Sequence, residues 1–263
     1  MGAEVSVLAQ QLRTPTVPAG QLALYWLCQA GFLFKTSAGQ LICIDPYFSD
    51  VVERLIGFKR MMACPIAPED VKADLVVCTH EHLDHMDTDA LPLLARHSST
   101  HFAGPIECMK QFEMLGIPKT RCHLLEEGKS FLYGDTRVNA VYADHGELAP
   151  DALGIVFNFG DITVYHTGDT AYRPEEFKLA ADHKPDILLP CINGAFGNMN
   201  AEEAALTTQQ IAPRFVIPTH FWMFVEQNGN PAEFLRLCAD HAPKTEAILL
   251  RPGEEFLFKT SPL

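Results

Sequence analysis

The run Thr79-His80-Glu81-His82-Leu83-Asp84-His85 constrains this chain more than any other feature. It follows residues 73–78, a short apolar stretch that reads as a buried strand. The six residues 80–85 hold three histidines and two acids. At the end of a buried strand such groups lose hydration, and leaving them unpaired there is expensive. Coordination of a metal ion removes that cost. Imidazole nitrogen and carboxylate oxygen are suitable donors for zinc, manganese or iron. The chain is therefore expected to place this segment on a loop at the carboxyl end of a strand, where scaffolds commonly display chemistry.

The same context recurs further along. His145 follows VNAVYAD, Asp169 follows ITVYHTG, and His220 follows FVIPT. In each case a metal-ligating residue type stands at or just after the end of an apolar strand. A lone histidine of this kind would be structural, but the repetition at separate strand ends points to one shared centre.

Between these points the pattern alternates strands and helices. Strands are expected over 22–28, 32–36, 41–44, 73–78, 99–102, 138–142, 187–190, 215–217, 247–250 and 256–258. A hairpin is expected from 154–158 to 162–166 around Gly160-Asp161, and Gly39 supplies a turn. Helices are expected over 88–96, 105–115, 174–181, 201–211 and 231–239. Gly116 marks the end of the second of these, and Asn200 caps the fourth. Residues 1–20 read as a leader lying on the surface, and 46–68 as a loop or short helices over a pocket. No linker separates autonomous units. Residues 1–263 are read as one α/β domain: two sheets face to face with helices outside them, an αββα sandwich.

Bulk properties narrow the partners. The 263 residues carry a formal charge of -13, a poor match for a phosphate backbone, so nucleic acid is not expected. The eight cysteines form no CxxC pair and read as buried thiols of a reducing compartment. The first residues contain no apolar secretory core, and no stretch has the roughly 18 apolar residues of a membrane span. The expectation is a cytoplasmic protein acting on a small anionic molecule, with homo-oligomerisation left open.

The HxHxDH run followed by isolated His, Asp and His resembles the metallo-β-lactamase superfamily over nearly the whole chain. The resemblance implies an αββα sandwich with a two-metal site on loops at one edge. It implies His80, His82 and His145 for one ion, and Asp84, His85 and His220 for the other. Asp169 then corresponds to the bridging carboxylate. It leans toward manganese, with zinc as runner-up. WLCQAGFLFKTSAGQLICIDPYF, GPIECMKQFEMLGIPKTRC, VYHTGDTAY and VIPTHFW are similar to the branch that contains L-ascorbate-6-phosphate lactonase. There Cys28 stands in place of an expected glycine, and this chain is shorter by several tens of residues. The implied reaction is hydrolytic opening of a phosphorylated, sugar-like lactone by a metal-bridging hydroxide. Phosphodiesterase, nuclease and non-catalytic ligand-binding readings are the alternatives.

Three catalytic carboxylates are named. Asp169 is the bridge that the resemblance implies. Asp84 either serves only as a ligand or also carries a proton. Asp45, after the strand at 41–44, is expected to accept a hydrogen bond from the far nitrogen of a ligand histidine. Thr79 and Thr219 are expected to fix the loops, and His166 to be structural. Substrate contacts are sought at Asn193, in the glycine-rich loop 194–200, and at Phe221 and Trp222. Lys59, Arg60 and Arg173 are the candidate cations for a phosphate.

Overall fold

The computed structural model describes residues 6–13 and 17–260. The elements, in chain order, are α1 (Val7–Arg13), β1 (Gln21–Trp26), β2 (Phe32–Thr36), β3 (Leu41–Ile44), α2 (Val51–Ile56), β4 (Leu75–Val77), α3 (Leu91–Leu94), β5 (His101–Gly104), α4 (Ile106–Met114), β6 (Cys122–Leu124), β7 (Ser130–Tyr133) and β8 (Thr136–Tyr142). They continue with β9 (Leu153–Phe159), β10 (Ile162–His166), α5 (Pro174–Ala181), β11 (Ile187–Leu189), α6 (Ala201–Ile211), β12 (Phe215–Val216), α7 (Pro231–His241), β13 (Glu246–Ala247) and β14 (Glu255–Lys259).

Two seven-stranded sheets result, ordered β14-β1-β2-β3-β4-β5-β6 and β13-β12-β11-β10-β9-β8-β7. Each sheet is antiparallel on one side and parallel on the other. In the first, β1 pairs antiparallel with both β14 and β2, and β3 then pairs parallel with β4. In the second, β8, β9 and β10 form an antiparallel run, and β10 to β13 are parallel. The period of two along β1 explains the layering. Leu22, Leu24 and Trp26 pack in the large core shared by both sheets. Ala23, Tyr25 and Leu27 turn the other way and meet Leu8 of α1, Leu91 and Leu94 of α3, and Cys108 and Phe112 of α4. Every residue of β2, β3 and β4 is buried, as strands covered on both faces require.

Local punctuation follows the sequence. Gly39 (φ 87°) and Gly160 (φ 64°) take the left-handed turn conformations that join β2 to β3 and β9 to β10. Asn200 accepts from the backbone N–H groups of Glu202 and Glu203, while the Glu203 carboxylate accepts from the N–H of Asn200, a complete capping box.

Four expectations need correction. The helix over 88–96 shrinks to the four residues of α3. Pro92 has no N–H and sits in its first turn, while the preceding residues form turns on Asp87, whose carboxylate accepts from the N–H groups of Asp89 and Ala90. The strand at 99–102 begins later, at His101. The last strand before β14 is only two residues long. Strands β6 and β7 were not expected. Part of the leader is the helix α1, and residues 1–5 and 14–16 lie outside the described residues. The eight cysteines are free thiols, six of them buried. Among the described residues no helix is long and apolar enough to cross a membrane.

Candidate metal centre

Strand direction brings the site together. Within the first sheet β1, β3 and β4 run the same way, and within the second β8, β10 and β12 do. Just past their carboxyl ends stand Gln29, Asp45, the 80–85 loop, His145, Asp169 and His220. Ligand atoms of these residues form three groups with spacings of at most 4.8 Å: His80/His82/His145, Asp84/His85/His220, and His80/His85/Asp169. Asp169 links the first two. Its Oδ1 lies 3.3 Å from His85 Nε2, and its Oδ2 lies 3.1 Å from His220 Nε2 and 3.8 Å from His145 Nε2.

The residues fit divalent cations. Among the described residues His80 Nε2 is buried without a hydrogen-bond partner, and His85 Nε2 and Asp169 Oδ1 are buried with ion-pair contacts, such as the 3.3 Å one between them, but no hydrogen bond of good geometry. Orphaned polar atoms of this kind are rare in folded proteins and call for a missing partner. At His82 and His85 the opposite nitrogen is occupied in the sense that frees the ligand lone pair. His82 Nε2 lies 3.1 Å from the Leu148 carbonyl and donates to it, which leaves Nδ1 to face a metal. His85 Nδ1 lies 2.8 Å from Asp45 Oδ2 and donates to it, which leaves Nε2 for a metal. Asp45 also accepts from the N–H of Thr79 at 2.7 Å and from its hydroxyl at 2.8 Å. This fully buried carboxylate therefore anchors the loop as well as the ring.

Charge tells the same story. Burial drives the His80 imidazole well below its ordinary pKa, and His85 beside it adds to the effect. Burial opposes the charge of Asp169, but His220 and His85 pull its carboxyl well below the usual carboxylate range. Asp84 is lowered in the same way, against burial, by His85 and by its contact with His220. Conversely, Asp169 outweighs burial and raises His220 to about 9. The buried carboxylates thus demand positive charge, which a dication supplies without protonating the rings. Mixed nitrogen and oxygen donors suit zinc or manganese.

The neighbouring threonines hold the loops. Thr219 donates through its backbone N–H and its hydroxyl to the Pro190 carbonyl. His166 is held by main chain on both sides: Nε2 donates to the Ala30 carbonyl and Nδ1 accepts from the N–H of Gly168. That leaves no nitrogen for a metal.

A cleft of about 270 Å³ opens over the centre, with His82, Asp84, His145 and Asp169 in its floor. Its walls are largely apolar and come from Val52 and Ile56 of α2, Phe58, Leu148, Phe196 and Phe224. The segment 46–68 does cover the pocket, through Val52, Ile56 and Phe58. Of the expected substrate contacts, the loop 194–200 reaches the cleft through Phe196, and the named side chains fall elsewhere. Asn193 is fully buried and donates to the Ala195 carbonyl. Phe221 is buried and stacks on Trp26 at 5.0 Å, while Trp222 is half exposed beside it. None of these lines the cleft, and neither does any of the three candidate cations. Arg60 donates to the carbonyls of Phe48, Ser49 and Met62 and lies over the Tyr47 ring. Arg173 pairs with Asp144, and Lys59 is exposed.

Three polar residues join the centre, one of them from the loop 194–200 already expected near substrate. Asn198, in the glycine-rich loop, donates to Asp169 Oδ2 at 2.7 Å. Gln29 donates to Asp84 Oδ2 at 2.6 Å, and Gln227 stands in the cleft wall. Gln29 and Gln227 are single amides in unremarkable loops, with no pattern that would mark them.

The comparisons agree with this geometry. A β-lactamase superfamily domain profile matches residues 23–220. A UPF0173 metal-dependent hydrolase of Herpetosiphon aurantiacus is 27% identical over 248 residues, covering 89% of this chain and 96% of that protein. The structure of Igni18, a metallo hydrolase of Ignicoccus hospitalis, superposes with a TM-score of 0.74 at 23% identity, over 92% of this chain and 100% of that one. An isothiocyanate hydrolase from Delia radicum gut bacteria gives 0.73 at 20%, over 90% and 99%. Paired sheets, a histidine- and aspartate-rich centre at their edge, and a profile spanning every proposed ligand place this chain in the metallo-β-lactamase superfamily.

Proposed function

We propose that the protein is a metal-dependent hydrolase of small lactones. In this reading His80, His82 and His145 hold one divalent ion, Asp84, His85 and His220 hold a second, and Asp169 reaches both. The observation that carries it is the cluster of buried histidine and aspartate ligand atoms, crowded within 4.8 Å of one another beneath an open cleft. Two dications there would generate a nucleophilic hydroxide near neutral pH and polarise the substrate carbonyl. The chain does the rest. The apolar walls hold the ring and exclude water. Asn198 keeps Asp169 oriented. Asp84 lines the cleft and is placed to carry a proton to the leaving ring oxygen.

The similarity to the L-ascorbate-6-phosphate lactonase branch makes that compound the first to try, and manganese the first metal, ahead of zinc. The cleft bears on the phosphate. Its lining includes Glu81, Asp84 and Asp169 but no lysine or arginine. Away from the proposed ions, a phosphate in the cleft would find no lysine or arginine of the described lining to pair with. The lining therefore supports a neutral lactone with an apolar substituent over its phosphorylated counterpart. The structural neighbour named as an isothiocyanate hydrolase acts on a small neutral electrophile, so isothiocyanates join the test.

A pH-indicator screen of the metal-loaded protein would compare neutral and phosphorylated lactones, thioesters, β-lactams and isothiocyanates, with phosphodiesters assayed directly. We expect turnover of neutral lactones, lost on chelation and restored by manganese or zinc. Turnover confined to phosphodiesters overturns the lactonase reading. A phosphorylated lactone cleaved faster than its neutral form would establish an anion subsite outside the lining described above.

A further inference from the structure

Gln29 is fully buried and lies in the left-handed region at φ 50°, a conformation that disfavours side chains. Two hydrogen bonds hold its backbone there. Its carbonyl accepts from the indole N–H of Trp26 at 3.0 Å and from the N–H of His220 at 3.0 Å. His220 itself has φ 58°. The strained Gln29 backbone thus fixes the backbone of a candidate ligand.

Its side chain faces the same group. The Nε2 atom lies 2.6 Å from Asp84 Oδ2, 3.2 Å from Gln227 Oε1 and 3.2 Å from His220 Nε2. An amide nitrogen has two hydrogens for these three neighbours. The carboxylate is the strongest acceptor and takes one, and the Gln227 carbonyl oxygen takes the other. His220 Nε2 then keeps its lone pair. The amide oxygen, Oε1, is buried without a partner, so the side chain is held in place by its donors alone.

We propose that Gln29 is a positioning residue for the Asp84/His85/His220 site: its amide fixes the Asp84 carboxylate and ties it to Gln227 in the cleft wall. The inference rests on the two-metal reading above. It adds that the two ions are served unequally, because Gln29 touches no member of the His80/His82/His145 group.

Zinc titration of the apo protein against a chromophoric chelator tests this without any substrate. The wild type should bind two zinc ions. Gln29→Leu, which keeps the bulk and removes the donors, should bind one as before and the second on the order of 10–100-fold more weakly, the usual loss for an outer partner of a ligand. Gln227→Leu alters a cleft-wall residue outside the core and guards against misfolding of the first variant. It should weaken the second ion by less than Gln29→Leu, since the bond to Asp84 survives. Two equally tight ions in both variants would overturn the inference and leave the two-metal reading standing. Fewer than two ions in the wild type would remove both. Equal weakening of both ions in Gln29→Leu would reduce Gln29 to a general structural role and overturn its assignment to one site.

Discussion

The two ligand groups, partly in the cleft floor and partly buried beneath it, are backed in different ways. In the His80/His82/His145 group the supports are neutral. His80 Nδ1 meets the Thr79 hydroxyl at 3.0 Å, His82 Nε2 meets a main-chain carbonyl, and His145 Nδ1 has no partner. In the Asp84/His85/His220 group His220 Nδ1 likewise has no partner among the described residues, but the other two ligands are backed by a buried carboxylate and a buried amide. Asp45 takes the far nitrogen of His85, and Gln29 takes an oxygen of Asp84. Hydrogen bonds to ionised groups are roughly twice as strong as neutral ones, and in a low-dielectric interior they fix geometry more tightly. The first group is free to adjust to its ion, whereas the second is built to a shape.

The largest effect should come from the residue that belongs to both. Asp169→Ala removes the carboxylate next to His85, His145 and His220. Both ions should weaken by more than the roughly 100-fold ceiling of outer-partner losses, and turnover should vanish. Metal analysis by mass spectrometry decides it. Two ions retained in Asp169→Ala would break the assignment of a shared carboxylate.

Asp45→Asn should come next. It keeps the shape but loses the charge opposite His85, so the second ion should weaken about 10–100-fold while the chain stays folded. Zinc titration, read beside circular dichroism, separates the two. Equal weakening of both ions would erase the contrast between the groups. Unchanged affinity and turnover would make Asp45 only an anchor for the Thr79 loop.

Thr79→Val should be the mildest. It removes the hydroxyl shared by Asp45 and His80 but keeps the backbone N–H bond to Asp45. A loss of about 1 kcal/mol in urea unfolding is expected, typical of one buried hydrogen bond. Metal affinity should move less than tenfold, and a larger change would mean that the neutral supports matter as much as the ionic ones.

Much of this was legible in the chain because the relevant groups stand at strand ends in apolar surroundings. The buried strands β2 to β4 announce themselves as apolar runs, and the histidines that follow are conspicuous by type. The edge strands β6 and β7 were not legible. Their residues are half-buried or exposed, so no apolar run marks them, and pairing with β5 and β8 decides their conformation. The helix over 88–96 was overestimated because its apolar residues also suit a turn closed by the Asp87 carboxylate. The cations were misplaced in a similar way. Lys59, Arg60 and Arg173 are close to the site in sequence, but guanidinium partners within reach, carbonyls for Arg60 and a carboxylate for Arg173, claim two of them first. Gln29 shows the limit. Its importance depends on contacts to residues 55, 191 and 198 positions away, which local pattern cannot reveal.

The pairing of β14 with β1 sets the order in which the molecule can be completed. Gln21 of β1 lies opposite Lys259, and Tyr25 opposite Glu255. As the ribosome releases the chain, the first sheet emerges early yet keeps an open edge at β1 until β14 follows, long after the second sheet has appeared. An unpaired edge is a template for strands of other chains, and contacts this distant in sequence form slowly. The nascent protein is therefore exposed to intermolecular pairing from the appearance of β1 until that of β14. Domains are made at about 5–20 residues per second, so a lag of this length lasts on the order of 10–50 seconds, and β14 acts as the clasp that ends it.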